Sequence, residues 1–210
     1  MAFMNLVTSK GGVKAWRGRA TGRALVEAVS FAGEEQAAHD GQSYIFFSRS
    51  HLAAATAGAL MYIKNTSSTN SIHITRMYID PIGALTPTDV ILTQVINPTT
   101  VTGGTTISAN TSAAGIVQKN TSHVNALLGS GDVTYKVSDG SSNITFTGGD
   151  YFHAYNVIAD GASTQRNMNG TNVIGPGGEW LIGWESAGTA TDAELISLSI
   201  NAYLAEDNPE

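Results

Sequence analysis

The sequence contains no cysteine, and this absence excludes several kinds of site at once. Without thiols the chain has no disulfide framework, no thiolate metal site and no cysteine nucleophile. At 210 residues it is long enough to bury most of its unfolded surface without help from a disulfide or a metal. The lack of cysteine agrees with a reducing cytoplasm and equally with a particle that persists outside a cell.

Long apolar runs and charged residues are also scarce. No run of 18 apolar residues occurs, so we expect no membrane-spanning segment and no membrane partner. The mildly apolar residues 1–8 are too short for the core of a signal peptide. Charged residues make up 13% of the chain, about half the usual share, whereas glycine, threonine, serine and asparagine are abundant. Such a surface suits lasting contact with proteins or the binding of glycans.

The few charges are unevenly placed, because five of the 11 basic residues precede the first acidic residue, Glu27. The remaining six share the rest of the chain with all 17 acidic residues. We predict that residues 1–43 form an extended basic arm and that five residues of this arm are its interface: Lys10, Lys14, Arg17, Arg19 and Arg23.

Three partners are open to such an arm: the acidic body of a neighbouring copy, another acidic protein, or nucleic acid. Only Trp16 is interleaved with the basic residues, and this is not the pattern of a nucleic-acid-binding segment. We therefore expect a protein partner, or a basic segment that is simply solvated, ahead of nucleic acid.

From Tyr44 onward, short apolar runs alternate with turn residues, the pattern of successive β-strands. About eight to ten such runs follow one another with hardly any helical periodicity. The pattern predicts one all-β domain over residues 44–204, an antiparallel β-sandwich of jelly-roll type, and an acidic tail over residues 205–210.

Three segments of this body carry specific predictions. Residues 194–204 alternate between apolar and mostly polar side chains, which predicts a half-buried antiparallel strand. Residues 59–64 and 72–79 are joined by a short polar connection and predict a hairpin. Residues 97–115 consist almost wholly of Thr, Gly, Ser, Asn and Ala and predict a long polar loop or a loose hairpin.

The motifs of catalysis and cofactor binding are missing from the sequence. Residues 7–14 superficially resemble a phosphate-binding loop, but they lack the Gly-Lys-Ser/Thr ending that closes on phosphate and magnesium. The five histidines lack metal-ligand spacing, and those within strands, His73 and His153, are expected to be ordinary sheet residues. Glu179 and Glu185 are six residues apart on one strand, about 20 Å, too far to act together. We expect no catalytic residues, no metal, no cofactor and no enzymatic activity.

Trp180 and Trp184 lie four residues apart in one apolar run, and therefore on the same face of a strand. Such a pair belongs to the core or to a subunit interface. The alternative is a platform on which sugar rings stack.

Three segments carry a resemblance to a known group of proteins: the arm Asn5–Lys14, the strand and turn Leu60–Ser68, and the ending Gly177–Tyr203. In the organisation of the chain they resemble small virion structural proteins of tailed bacteriophages, especially capsid decoration or cement proteins with a jelly-roll body. The resemblance implies a homo-oligomer, commonly a trimer, that is made in the host bacterial cytoplasm. It further implies that arms and loops seat this oligomer on the major capsid protein, at the surface of the virion, and that no catalytic residues are present.

Two other hypotheses stand beside this one. The first is a receptor- or glycan-binding module of a virion fibre or an adhesin, which needs exposed aromatic residues over a groove. The second is a β-sandwich enzyme such as a polysaccharide hydrolase, which needs two carboxylates about 5 to 10 Å apart in one cleft.

Overall fold

The computed structural model describes residues 16–18, 24–26, 33–51, 58–82, 90–122, 127–157, 164–185 and 195–206. Most of these residues lie in antiparallel β-strands, so the prediction of an all-β fold is confirmed. Two short helices accompany the strands, α1 (Gly33–His39) and α2 (Leu127–Ser130). No helix within the described part of the chain is long and apolar enough to cross a membrane.

The strands in chain order are β1 (Trp16–Gly18), β2 (Ala24–Val26), β3 (Ser43–His51), β4 (Gly58–Asn65), β5 (Asn70–Ile82), β6 (Val90–Ile96), β7 (Thr100–Thr102), β8 (Thr105–Thr106), β9 (Ala114–Gln118), β10 (Val133–Val137), β11 (Thr145–Thr147), β12 (Asp150–Val157), β13 (Thr164–Ile174), β14 (Glu179–Glu185) and β15 (Leu195–Glu206). Eleven of them form two sheets. One has six strands in the order β12-β6-β14-β4-β10-β8, and the other has five in the order β13-β5-β15-β3-β9. The pairs β1–β2 and β7–β11 are separate two-stranded ribbons.

The eight long strands pair in a nested order. β3 pairs with β15, β4 with β14, β5 with β13 and β6 with β12, always antiparallel. Strands that follow one another among β3–β6, and again among β12–β15, alternate between the two sheets. The chain therefore folds back on itself once, and β7–β11 are inserted at the point of return.

The hairpin predicted for residues 59–64 and 72–79 is wrong, because β4 and β5 lie in different sheets. The fully buried Asn65 at the end of β4 stabilises the crossing between the sheets. Its Nδ2 donates to the carbonyl oxygens of Asn70 at 2.7 Å and Ile174 at 2.9 Å. These bonds tie the end of β4 to the start of β5 and to the end of β13, and the chain crosses from one sheet to the other instead of turning back.

The two sheets enclose one apolar core to which both contribute fully buried side chains. The five-stranded sheet contributes residues such as Phe46, Ile74, Met77 and Leu198, and the six-stranded sheet contributes Leu60, Ile63, Leu92 and Ile182. The alternation predicted for β15 is confirmed, since Ile196, Leu198 and Ile200 are completely buried. Phe46 and Tyr135 meet edge to face across the core with ring centroids 5.5 Å apart, and the Tyr135 hydroxyl donates to the carbonyl oxygen of Phe47 at 2.7 Å.

The six-stranded sheet is also apolar on its outer face. Ala59, Tyr62, Val95, Ile144 and Leu181 form a second buried cluster there. The β7–β11 ribbon covers this cluster with two inward side chains, Val101 and Phe146. Because both faces are covered, β4 is buried along almost its whole length.

The ribbon corrects the prediction of a long polar loop over residues 97–115. This segment contains β7 and β8, which pair with strands far along the chain, and it leads into β9. On the exposed side of the ribbon, the threonine hydroxyls pair across the strands: Thr100 with Thr147 at 2.6 Å and Thr102 with Thr145 at 2.7 Å. Threonine is polar but β-branched, so it fits the exposed side of a strand as readily as a loop.

The ends of the folded body differ from the boundaries expected from the sequence. α1 lies within the predicted arm but contacts β3 and β15, and its Ala37 is buried. At the other end, β15 continues two residues into the predicted tail, where Glu206 is paired with Asn70. Apart from β1 and β2, residues 1–32 lie outside the described part of the chain, and the extended arm stays a prediction there.

Alanine at Gly183 is expected to lower the free energy of unfolding by about 1–3 kcal/mol. A Cβ at this position would lie 2.9 Å from the Thr93 hydroxyl oxygen and 3.0 Å from the Phe146 ring, so the ribbon would have to shift. Gly175→Ala is the matched control, because a Cβ there meets nothing within 4 Å, and a change within about 0.5 kcal/mol is expected. Urea denaturation measures both, and equal effects would contradict the close packing of the ribbon on β14.

Candidate functional site

The basic residues predicted as an arm interface are mostly outside the part of the chain that the structure describes. Lys10, Lys14, Arg19 and Arg23 lie in undescribed segments. Arg17 lies in β1, where its backbone is opposite Leu25 of β2. The arm interface therefore stays a prediction.

The tryptophan pair belongs to the core. Trp180 and Trp184 are 1% and 3% exposed, and both are members of the cluster between the sheets. The core interpretation of the pair is confirmed, and its possible roles as a glycan platform or a subunit interface are wrong. The reason is that the inner face of β14, which also carries Ile182, packs against the five-stranded sheet, so neither indole ring is available to a ligand.

Histidines and carboxylates do not converge in the described residues, where no group of three potential metal ligands is found. His73 stacks on Tyr203 with ring centroids 4.8 Å apart and planes 7° apart, an ordinary cross-strand pair on the outside of the five-stranded sheet. Glu179 pairs with Lys64 of the neighbouring strand at 2.8 Å. Burial, together with the nearby Glu179, raises the pKa of Tyr62. These contacts stabilise the sheets.

Among the acidic residues that the structure describes, Asp139 accepts the most hydrogen bonds. Its carboxylate accepts from the hydroxyl of Thr105 at 2.5 Å, from the hydroxyl of Ser141 at 2.8 Å and from the backbone N–H groups of Ser141 and Ser142. Partial burial by itself raises the pKa of Asp139, but these four donors outweigh it and hold the pKa at about 2. The carboxylate therefore organises its own turn and the start of β8.

The outer face of the five-stranded sheet is the best candidate for a functional surface. α1 lies over one half of it, where Thr75 and Asn201 are buried and Glu34 interacts with Lys119, Thr75 and Arg76. On the other half, three rows of outward side chains from the three central strands are exposed or half-buried, and the two rows nearer α1 consist of six residues: Phe47, Arg49, Tyr78, Asp80, Ser197 and Ser199. We call these six residues the sheet face.

The sheet face is arranged in two rows that cross the strands. Phe47, Ser199 and Tyr78 are direct cross-strand neighbours, and they form the first row. Arg49, Ser197 and Asp80 form the second row in the same way. In the central strand β15, Ser199 therefore lies between two aromatic residues and Ser197 between two charged residues.

The aromatic row continues onto the edge strands. Gly115 of β9 is opposite Phe47, and Gln165 of β13 is opposite Tyr78. A Cβ at Gly115 would lie 2.9 Å from the Phe47 ring and 2.3 Å from the Asn110 Oδ1, so both side chains lean over this glycine. The Asn110 Oδ1 accepts from the backbone N–H of Ile116 at 2.6 Å.

No known family, curated protein or solved structure matches this chain.

Sequence reasoning missed the sheet face, although part of its signal is visible. The serines of β15 alternate with buried residues, which marks their side as the outer one. The sequence does not distinguish Phe47 from the other residues of the apolar run Tyr44–Phe47, in which its neighbour Phe46 is completely buried. The pairing of β15 with β3 and β5, which brings the rows together, joins residues more than a hundred positions apart and has no local signature.

Asp139→Asn is expected to flatten the dependence of stability on pH at the acidic end. The pKa of Asp139 is about 2 in the folded protein against an ordinary 3.8, so its stabilising contribution is complete above about pH 4 and is lost as the pH falls through 2. With screening by solvent, we expect the variant to lose about 1 kcal/mol at pH 7. Thermal denaturation between pH 2 and 7 measures this. Asp150→Asn, at an exposed carboxylate, is the control, and equal pH profiles of both variants would contradict this role of Asp139.

Proposed function

We propose that this protein is a structural component of a bacteriophage virion, and specifically a decoration protein that binds the outside of the head as a homo-oligomer. The observation that carries the proposal is the nested pairing of the eight long strands. The first four long strands in the chain, β3 to β6, pair in turn with the last four in reverse order, β15 to β12. The two groups of four strands together form two facing sheets. We infer from this order that the sandwich is a jelly roll, the architecture of many viral coat proteins.

The covering of the six-stranded sheet supports a coat role. The sandwich core lies on one side of this sheet and the β7–β11 ribbon on the other, so its central strands are shielded from solvent on both faces. The exposed side of the ribbon carries threonine hydroxyls that pair with one another. A stiff body with an uncharged outer layer suits a protein that holds its shape against a particle surface.

The distribution of charge supports docking through the arm. Leu204 of β15 donates its backbone N–H to the carbonyl oxygen of Gln42 at 2.8 Å, so the end of β15 lies beside the turn after α1. Three exposed carboxylates occur close to this contact in the chain, those of Glu35, Asp40 and Glu206. The basic residues of the arm have an acidic end of a neighbouring copy as a complementary surface.

The alternative role as a glycan-binding module rested on an exposed tryptophan pair. Trp180 and Trp184 are buried, so this support is lost. The alternative would need a different surface.

Replacing Lys10, Lys14, Arg17, Arg19 and Arg23 together by alanine is expected to weaken binding to particles at least about tenfold, because five charges lose their attraction to acidic neighbours. The measurement is the copy number per particle, determined by quantitative mass spectrometry after purified protein is mixed with particles and sedimented. The double variant Lys136→Ala/Arg166→Ala, which removes basic residues of the body, is the control. Raised salt should lower the copy number of the unchanged protein as well. Equal copy numbers for all three proteins would contradict docking through the arm.

A further inference from the structure

The sheet face is the part of the described surface whose side chains fit a ligand. α1 bounds it on one side, and the cross-strand row of His51, Leu195 and Ile82 lies on its other side. The two rows of the sheet face lie between α1 and this third row. A ligand that occupies this space runs across the strands.

We propose that the sheet face binds a neutral, extended oligosaccharide that lies across β3, β15 and β5. This goes beyond the proposed function, which requires only that the protein binds particles. The two are independent, because the arm and the sheet face are formed by different residues.

The spacing of the aromatic row fits such a chain. Neighbouring strands are about 4.8 Å apart, so Phe47, Ser199 and Tyr78 follow one another at about this step. One step is close to the length of one pyranose unit. A sugar packed on Phe47 therefore places the next sugar over Ser199 and the third over Tyr78. The small serine leaves room for the middle sugar, and the apolar faces of the outer two lie on the aromatic rings.

The sides of the row support this placement. Because Gly115 has no side chain, the Phe47 ring leans over β9 instead of standing upright on the sheet. Asn110 uses its Oδ1 for the backbone of Ile116, and its amide NH₂ makes none of the hydrogen bonds found among the described residues. It is a donor for a sugar hydroxyl at the Phe47 end. Gln165 is the matching polar residue at the Tyr78 end.

The second row determines the charge of the ligand. Arg49 and Asp80 lie on either side of Ser197, about 9.6 Å apart by strand spacing, and neither is in an ion pair with a described residue. Together they bring no net charge but offer strong donors and strong acceptors. This complements sugar hydroxyls, which both donate and accept. An anionic polymer, such as nucleic acid or an acidic glycan, gains no net attraction from this row, because Asp80 repels it and Arg49 attracts it.

Binding of an oligosaccharide to a single copy of the protein is expected to be weak, since the surface is shallow. Many copies on one particle would add their contacts, and a weak site then gives firm attachment to a surface that carries repeated glycans.

Isothermal titration calorimetry of the full chain with cellohexaose, xylohexaose and mannohexaose tests the proposal. We expect at least one of these neutral hexasaccharides to bind, and Tyr78→Ala and Phe47→Ala each to weaken its binding at least tenfold. Ser199→Tyr, an outward substitution that fills the middle of the row, should abolish binding and leave the fold intact. Tyr151→Ala removes an aromatic residue that is 57% exposed on the other sheet, and it should bind as the unchanged protein does.

Three outcomes would overturn the proposal. The first is no binding of any of the three hexasaccharides at millimolar concentration. The second is an equal loss for Tyr151→Ala and Tyr78→Ala, which would mean that the sugar does not bind at the sheet face. The third is that Ser199→Tyr lowers the mass of an oligomer in sedimentation equilibrium, which would assign the sheet face to contact with a second copy. Loss of particle binding by the arm variant, with sugar binding retained, would separate this site from the proposed virion role.

Discussion

The six-stranded sheet has apolar side chains on both faces, and the rest of the structure depends on covering both. Burying apolar surface stabilises a fold by about 25 cal/mol per Å², so an uncovered face would be costly. The inner face, with Leu60 and Ile63, packs on the five-stranded sheet. The outer face, with Tyr62 and Leu181, needs a second cover, which Val101 and Phe146 provide. The insertion between β6 and β12 is therefore part of the hydrophobic structure, although most of its residues are polar.

The five-stranded sheet is different, because only its inner face is apolar along the central strand. Ile196, Leu198 and Ile200 point into the core, whereas Ser197 and Ser199 point outward. α1 covers part of the outward side, and the side chains of the remainder are exposed or half-buried. This difference explains why Trp180 and Trp184 are uninformative about function. They belong to β14, a central strand of the sheet whose two faces are both covered.

Local patterns in the sequence predicted many of the strands. Which strands pair, and in which sheet, is determined by contacts between residues far apart in the sequence, and these patterns do not show it. The alternation in residues 194–204 reports burial directly and was confirmed, as was the core position of Trp180 and Trp184. The hairpin at residues 59–64 and 72–79 failed because a short polar connection serves equally to turn a chain back or to pass it to another sheet. Here the chain passes to the other sheet, and Asn65 stabilises this crossing through a hydrogen bond to Ile174, 109 residues away. The threonines of β7 and the aromatic row were missed for the same reason, because their neighbours are remote in sequence.

The nested pairing also constrains how an arm can act. β3 pairs with β15, so the five-stranded sheet is complete only when the last long strand is in place, and contacts of such high sequence separation form slowly. The turn after α1 lies beside the end of β15, and Glu35, Asp40 and Glu206 are exposed near this contact in the chain. If the basic residues 10–23 dock on this acidic end as proposed, each copy presents its own acidic end to them at high effective concentration. A neighbouring copy can compete for them only where copies are crowded on a surface. Under this proposal arm exchange follows assembly on a particle, because in dilute solution a copy's own acidic end is the acidic surface present at the highest concentration.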